Sequence, residues 1–149
     1  PQITGDLSTD ALLRIFVSVS TNLVNSAGER LFSGRNMRFV RRLVRDSLYR
    51  GATAEHTLTL WRQVLAGEDA YLYPYKGNAE LYFDTFHTFE PGVMRPFAER
   101  VMTEESLSDP YMQKIAAAMA KITPISDTLV PETSLIREFI PGGKYEYLY

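Results

Sequence analysis

"RNMRFVRRLVRDSLYRG", residues 35–51, decides how this chain is read. It holds six arginines, one aspartate and no lysine, in a chain whose formal net charge is −2. Met37, Val40, Leu43, Val44 and Leu48 recur at helical spacing, and Arg38, Arg41, Arg42 and Arg45 fall mainly on the opposite face. Asn36 is the expected N-cap, and the helix is expected to run to about Tyr49. Gly51 stands where a left-handed residue ends a helix.

Charge sharpens the picture. From Arg30 to Arg50 seven arginines face Asp46 alone, a surplus of six, so the rest of the chain carries −8. Such local asymmetry points to an anionic partner. A guanidinium fork donates paired hydrogen bonds that match phosphate oxygens. Residues spaced i, i+3 and i+4 share a helix face, so Arg38, Arg41 or Arg42, and Arg45 can converge on one anion. Gly51 lets the chain turn and bring Arg50 alongside. The blander alternative is a solvated face whose arginines pair with carboxylates elsewhere in the fold. The acidic remainder argues against a protein that coats long nucleic acid.

The bulk properties set limits. A chain of 149 residues is one domain long. With 45% hydrophobic and 23% charged residues it is too apolar for disorder. It has no run of about 18 apolar residues to span a membrane, and its polar start, "PQITGDLSTD", is no signal peptide. The absence of cysteine removes disulfides, thiolate zinc sites and cysteine nucleophiles, and a cytoplasmic location is expected.

Around the arginine segment, "LLRIFVS" (12–18) reads as a buried strand and "TNLVNSAGERLFSGRN" (21–36) as a loop. A second helix is expected over 53–66, with Leu58, Trp61 and Leu65 inward and Gly67 as its stop. "AELYFDTF" (79–86) reads as a second strand after a turn at Lys76-Gly77-Asn78. Helices are expected from Pro91 to about Val101, with Met94, Phe97 and Ala98 inward, and from Asp109-Pro110 to about Ala120. Ser134–Phe139 reads as a short helix, and "KYEYLY" as a frayed or edge-docked tail. Trp61 and the "YLYPY" aromatics (71–75) are expected in the core, the alternative being that Tyr71 or Tyr73 stacks on a base.

Other signals are weak. "GERLFSG" with Arg35 has the wrong spacing and residues for a phosphate loop, and "GGK" (142–144) follows no strand. His56 and His87 lack a second ligand at i+4, so no metal site is expected. Glu104-Glu105 reads as a solvated flank.

"RFVRRLVRDSLYRGATAEHTLTLW" resembles the lid segment of the uridine kinase family of P-loop kinases: an Arg-Arg pair, Arg-Asp three residues on, then Arg-Gly before a helix. "LAGEDAYLYPYKGNAELYFDTF", "EPGVMRPFAERVM" and "VPETSLIREFIPGG" are similar, in order, to later segments of its bacterial branch. The resemblance runs from about residue 11 to 143. It implies an α/β fold, helix-dominated, in which two strands of an incomplete P-loop kinase sheet accompany the lid helix and several closing helices. It divides a single unit into strand and loop (10–35), lid helices (36–66), and last strand with closing helices (67–149).

The resemblance also implies roles. Arg42 reaches toward the nucleoside and its acceptor hydroxyl. Arg45 and Arg50 contact phosphate oxygens, with Arg38 and Arg41 as helpers or surface charges. ATP and Mg²⁺ serve the complete enzyme, which moves a γ-phosphate to a nucleoside hydroxyl or related acceptor. No Walker A loop or catalytic base lies in these residues, so this portion alone is expected to bind neither cofactor and to catalyse nothing. Its expected partner is the missing amino-terminal half, or a second copy through the open edge of the first strand. The competing expectation is a non-catalytic helical module that docks on RNA or an acidic protein.

Overall fold

The computed structural model describes residues 7–145. The arginine segment is helix α1, Gly34–Arg50. Its N-cap is Ser33, not Asn36. The Ser33 side chain accepts from the Asn36 N–H, and the Asn36 side chain accepts from the Ser33 N–H, so Asn36 is the third residue of a capping box. Gly51 ends the helix in the left-handed conformation, φ 63°, and both its N–H and that of Ala52 donate to the Asp46 carbonyl. Gly34 admits no side chain: a Cβ there would lie 1.9 Å from the Val19 carbonyl oxygen.

The apolar face of α1 is the centre of the core. Met37, Phe39, Val40, Leu43 and Val44 are fully buried, each contributing about 1.5–3 kcal/mol by transfer from water. The stripe is rotated from the expected one. Phe39 is inside, edge-on to Tyr111 and tilted against Trp61, whereas Leu48 is exposed in the last turn.

Helix α2, Ala54–Tyr71, is N-capped by Thr53 and runs straight through Gly67. A mid-helix glycine costs about 1 kcal/mol, and the buried Glu68 that follows, paired with Arg38, supplies a reason to continue. Trp61 and Leu58 face the core as expected. The aromatics beyond do not: Tyr71 and Tyr75 are exposed, on and after the end of α2, where a 3-10 turn, Tyr73–Asn78, runs over the surface.

Strand β1, Ile15–Ser18, pairs in parallel with a later strand, Leu81–Asp84, in register Ile15 to Leu81 and Ser18 to Asp84. The expected loop between β1 and α1 contains an antiparallel hairpin, β2 (Leu23–Val24) and β3 (Arg30–Phe32). The Asn25 carboxamide folds its turn by accepting from the Ala27 and Glu29 N–H groups, and Gly28 takes φ 79°. The later strand, β4, is followed by helices α3, Glu90–Val101, and α4, Pro110–Met119, the latter capped by Asp109. Met94 and Ala98 of α3 are fully buried and Phe97 nearly so. The chain is thus helix-dominated, with a small two-stranded parallel sheet and a separate hairpin.

The carboxyl-terminal segment ends in a 3-10 turn, Leu135–Glu138. Buried Arg137 knits it together by donating to the carbonyls of Asp127, Val130 and Pro141. Of the expected tail, Glu146 to Tyr149 lie outside the described residues.

The parallel pair is half naked. Leu13, Ile15, Val17, Leu81 and Phe83 are all more than half exposed. Parallel sheets are ordinarily covered on both faces, and two strands alone are marginal in water.

One buried ion pair ties these layers together. Glu90, at the first position of α3, has 0% exposure and receives the Arg41 Nε and, at 2.7 Å, its Nη2. That Nη2 also donates to the Thr85 carbonyl at 2.8 Å. Removing one partner leaves a buried charge without its counter-ion. Glu90→Ala is therefore expected to cost about 3–5 kcal/mol of stability, read as a lower urea midpoint. A loss below about 1 kcal/mol, the value of an exposed pair, would contradict this role.

Candidate functional site

The five candidate arginines separate into two sets. Arg38 and Arg41 turn inward. Arg38 Nη2 lies 2.5 Å from Glu68 and its guanidinium 5.7 Å from the Trp61 ring centroid. Arg41 holds Glu90 and lies 5.3 Å from the Phe139 ring centroid. Both are engaged in ion pairs within the fold, Arg41 largely buried and Arg38 partly exposed. Their counter-ions come from α2 and α3, far along the chain, which is why the segment looks unneutralised in sequence. Arg35 follows the same pattern with Asp69. Its pKa is pushed upward, first by Asp69 and then by Tyr73, whose ring lies 4.5 Å beneath its guanidinium.

Arg42, Arg45 and Arg50 come together at the carboxyl end of α1, around one buried carboxylate. Asp46 Oδ2 lies 3.2 Å from Arg42 Nε, and Oδ1 lies 3.5 Å from Arg45 Nε and 3.1 Å from Arg50 Nη1. Arg45 Nη1 also meets Glu138 at 3.4 Å. The helix places all of them: Arg42 and Arg50 are each four residues from Asp46, and Gly51 stops the chain where Arg50 can fold back. The same aspartate supplies the carbonyl that closes the helix, so one residue organises both the cap and the cluster.

The cluster has more donors than acceptors. Three guanidiniums carry five N–H groups each, and among the described residues Asp46 and Glu138 meet them. Arg42 Nε and Arg45 Nε are buried and make no hydrogen bond, because the contacts to Asp46 are poorly aligned. The exposure of these side chains runs from 20% for Arg45 to 43% for Arg50, so parts of them reach solvent although the two Nε atoms do not.

Sequence reasoning brought Arg42, Arg45 and Arg50 to one place and missed the residues that hold them. Asp46 sits inside the quoted segment, and its i±4 spacing to Arg42 and Arg50 was the available signal. Glu138, from the "LIREF" turn, carried none. Among the described residues no group of histidine, cysteine, aspartate and glutamate could hold a metal ion, and no helix is long and apolar enough to cross a membrane. Compared with family models, curated proteins and solved structures, the chain matches none.

Proposed function

We propose that this chain is the lid-bearing portion of a phosphotransferase resembling uridine kinase, and that Arg42, Arg45 and Arg50 form its clamp on nucleotide phosphates. The observation that carries this reading is the convergence of these three guanidiniums on a single carboxylate at a partly exposed helix end. Asp46 draws the three forks to one place, and its carboxylate competes with an incoming phosphate for them. Glu138 occupies the place of an anion and yields when a triphosphate arrives. Phosphoryl transfer needs little covalent chemistry from the protein beyond positioning and charge stabilisation. A lid supplies the charge stabilisation and leaves Mg²⁺, ATP binding and the base to the rest of the enzyme.

The sheet supports the same reading. The parallel β1–β4 pair, joined through the lid helices, has the connectivity of a larger parallel sheet. Its bare apolar face and open β1 edge suit further strands, supplied by an amino-terminal half or by a second copy. The chain alone is expected to elute from size-exclusion chromatography as a concentration-dependent oligomer. A clean monomer at every loading concentration would count against an incomplete sheet.

The clamp is tested by titrating the chain with tripolyphosphate, which offers the phosphate chain without the nucleoside or Mg²⁺. Each guanidinium–phosphate bond is charge-assisted and worth about 1.5–3 kcal/mol. Arg42→Ala and Arg45→Ala should therefore each weaken binding about tenfold or more. Glu138→Gln should strengthen it by removing the competing carboxylate. No uridine phosphate should form with this chain alone. Equal affinity in all three variants would overturn the clamp, and turnover by the isolated chain would overturn the assignment as a lid without its catalytic half.

A further inference from the structure

A second cationic feature lies at the opposite end of α1. A cavity of about 240 Å³ opens between β3, the first turn of α1, α2 and α4. Arg30, Arg35 and Lys114 line it, together with Tyr111, Leu31 and Leu65, and no acidic residue does. It shares no residue with the Asp46 cluster. Arg35 is already paired with Asp69, but Arg30 and Lys114 form no ion pair among the described residues.

The Tyr111 hydroxyl gives the cavity its chemistry. Its oxygen accepts two hydrogen bonds, from Trp61 Nε1 at 3.2 Å and from Asn36 Nδ2 at 3.3 Å. The Asn36 orientation is set by Ser33, whose N–H and hydroxyl both engage its Oδ1, so the amide nitrogen is the end left for Tyr111. A phenol that receives two donors still has one proton to give. No described residue accepts it. Burial pushes the Tyr111 pKa up, while the Trp61 and Asn36 bonds and the Arg35 charge pull the other way, and the net is upward, so the proton stays on at neutral pH. A phenol proton with no acceptor among the described residues, in a cavity lined by two cations without ion pairs, suits an oxyanion ligand. The positive end of the α1 dipole favours the same occupant.

We propose that this cavity binds a small phosphate monoester. Arg30, Lys114 and the Tyr111 hydroxyl hold its phosphate dianion, and its organic part lies against Leu31 and Leu65. The Tyr111 network links this site to the core, because the same hydroxyl anchors Trp61 of α2 and the capping box of α1.

Two-dimensional amide NMR of the full chain, at constant ionic strength in chloride, tests this with two probes. Ribose 5-phosphate and inorganic phosphate should each give saturable shifts at residues 34–36 and 111–114, with ribose 5-phosphate binding about tenfold tighter through its organic part. Arg30 and Lys114 are exposed, so the double variant Arg30→Ala/Lys114→Ala should fold and should lose at least about tenfold in affinity. Tyr111→Phe, which keeps the ring, should lose severalfold. Arg42→Ala/Arg45→Ala should bind both probes as the parent does, which separates this site from the lid clamp. No saturable shift, shifts confined to residues 42–50, or an unweakened Arg30→Ala/Lys114→Ala variant would each overturn the site. Equal affinity for the two probes would overturn the assignment of an organic part.

Discussion

The fully buried Glu90 carboxylate imposes the constraint on which the rest of the molecule depends. A carboxylate without water must have a cation, and among the described residues the arginine that reaches it is Arg41 on α1. That pairing fixes the rotation of α1 against α3. It also holds the chain after β4, through the Thr85 carbonyl, close to the same guanidinium. Once α1 is held in that rotation, Met37, Val40, Leu43 and Val44 must face the core, and Arg38 must meet Glu68 on α2. A buried pair of this kind need not add net stability over an apolar replacement. Its effect is to make every other packing of α1 cost an orphaned charge.

The arginine helix therefore does two jobs that look identical in sequence. Arg35, Arg38 and Arg41 join it to α2 and α3, and Arg42, Arg45 and Arg50 gather at its end. The first set shows how far composition misleads. Asp69, Glu68 and Glu90 lie roughly 30 to 50 residues downstream of their partners, so a local charge count finds no neutralisation where the fold provides it. The bland alternative, arginines paired within the protein, describes all six positions, since Arg42, Arg45 and Arg50 also meet Asp46.

Local patterns elsewhere were readable where the physics is local. The Gly51 stop, the Thr53 and Asp109 caps, the inward face of α3 and both strands of the parallel pair follow from dihedral preference and periodicity. What escaped depended on partners distant in sequence or on side-chain geometry. The β2–β3 hairpin forms because Asn25 folds a turn onto Glu29. The α2 helix passes Gly67 because Arg38 draws Glu68 inward. Phe39 displaces Leu48 from the core because Trp61 and Tyr111 wait for an aromatic ring. At the candidate site the arginines were legible, whereas Asp46 at their centre and Glu138 beside Arg45 were not.

The central question is whether the Asp46 cluster is built to meet oxyanions from outside the chain or merely to close a helix. Asp46→Asn keeps the side-chain shape and the backbone cap while removing the charge that holds three guanidiniums together. Melting temperature, measured with and without tripolyphosphate at fixed ionic strength, reads the answer directly. A ligand that binds only the folded state raises melting temperature by mass action, and stabilisation of about 1 kcal/mol corresponds to roughly 2–4 °C in a chain of this size. The variant should melt below the parent in chloride, and tripolyphosphate should raise it by several degrees more than the parent, because the anion takes the place of the lost carboxylate. An identical shift in both proteins would mean that the cluster does not receive the anion, and would leave Arg42, Arg45 and Arg50 as structural as Arg41.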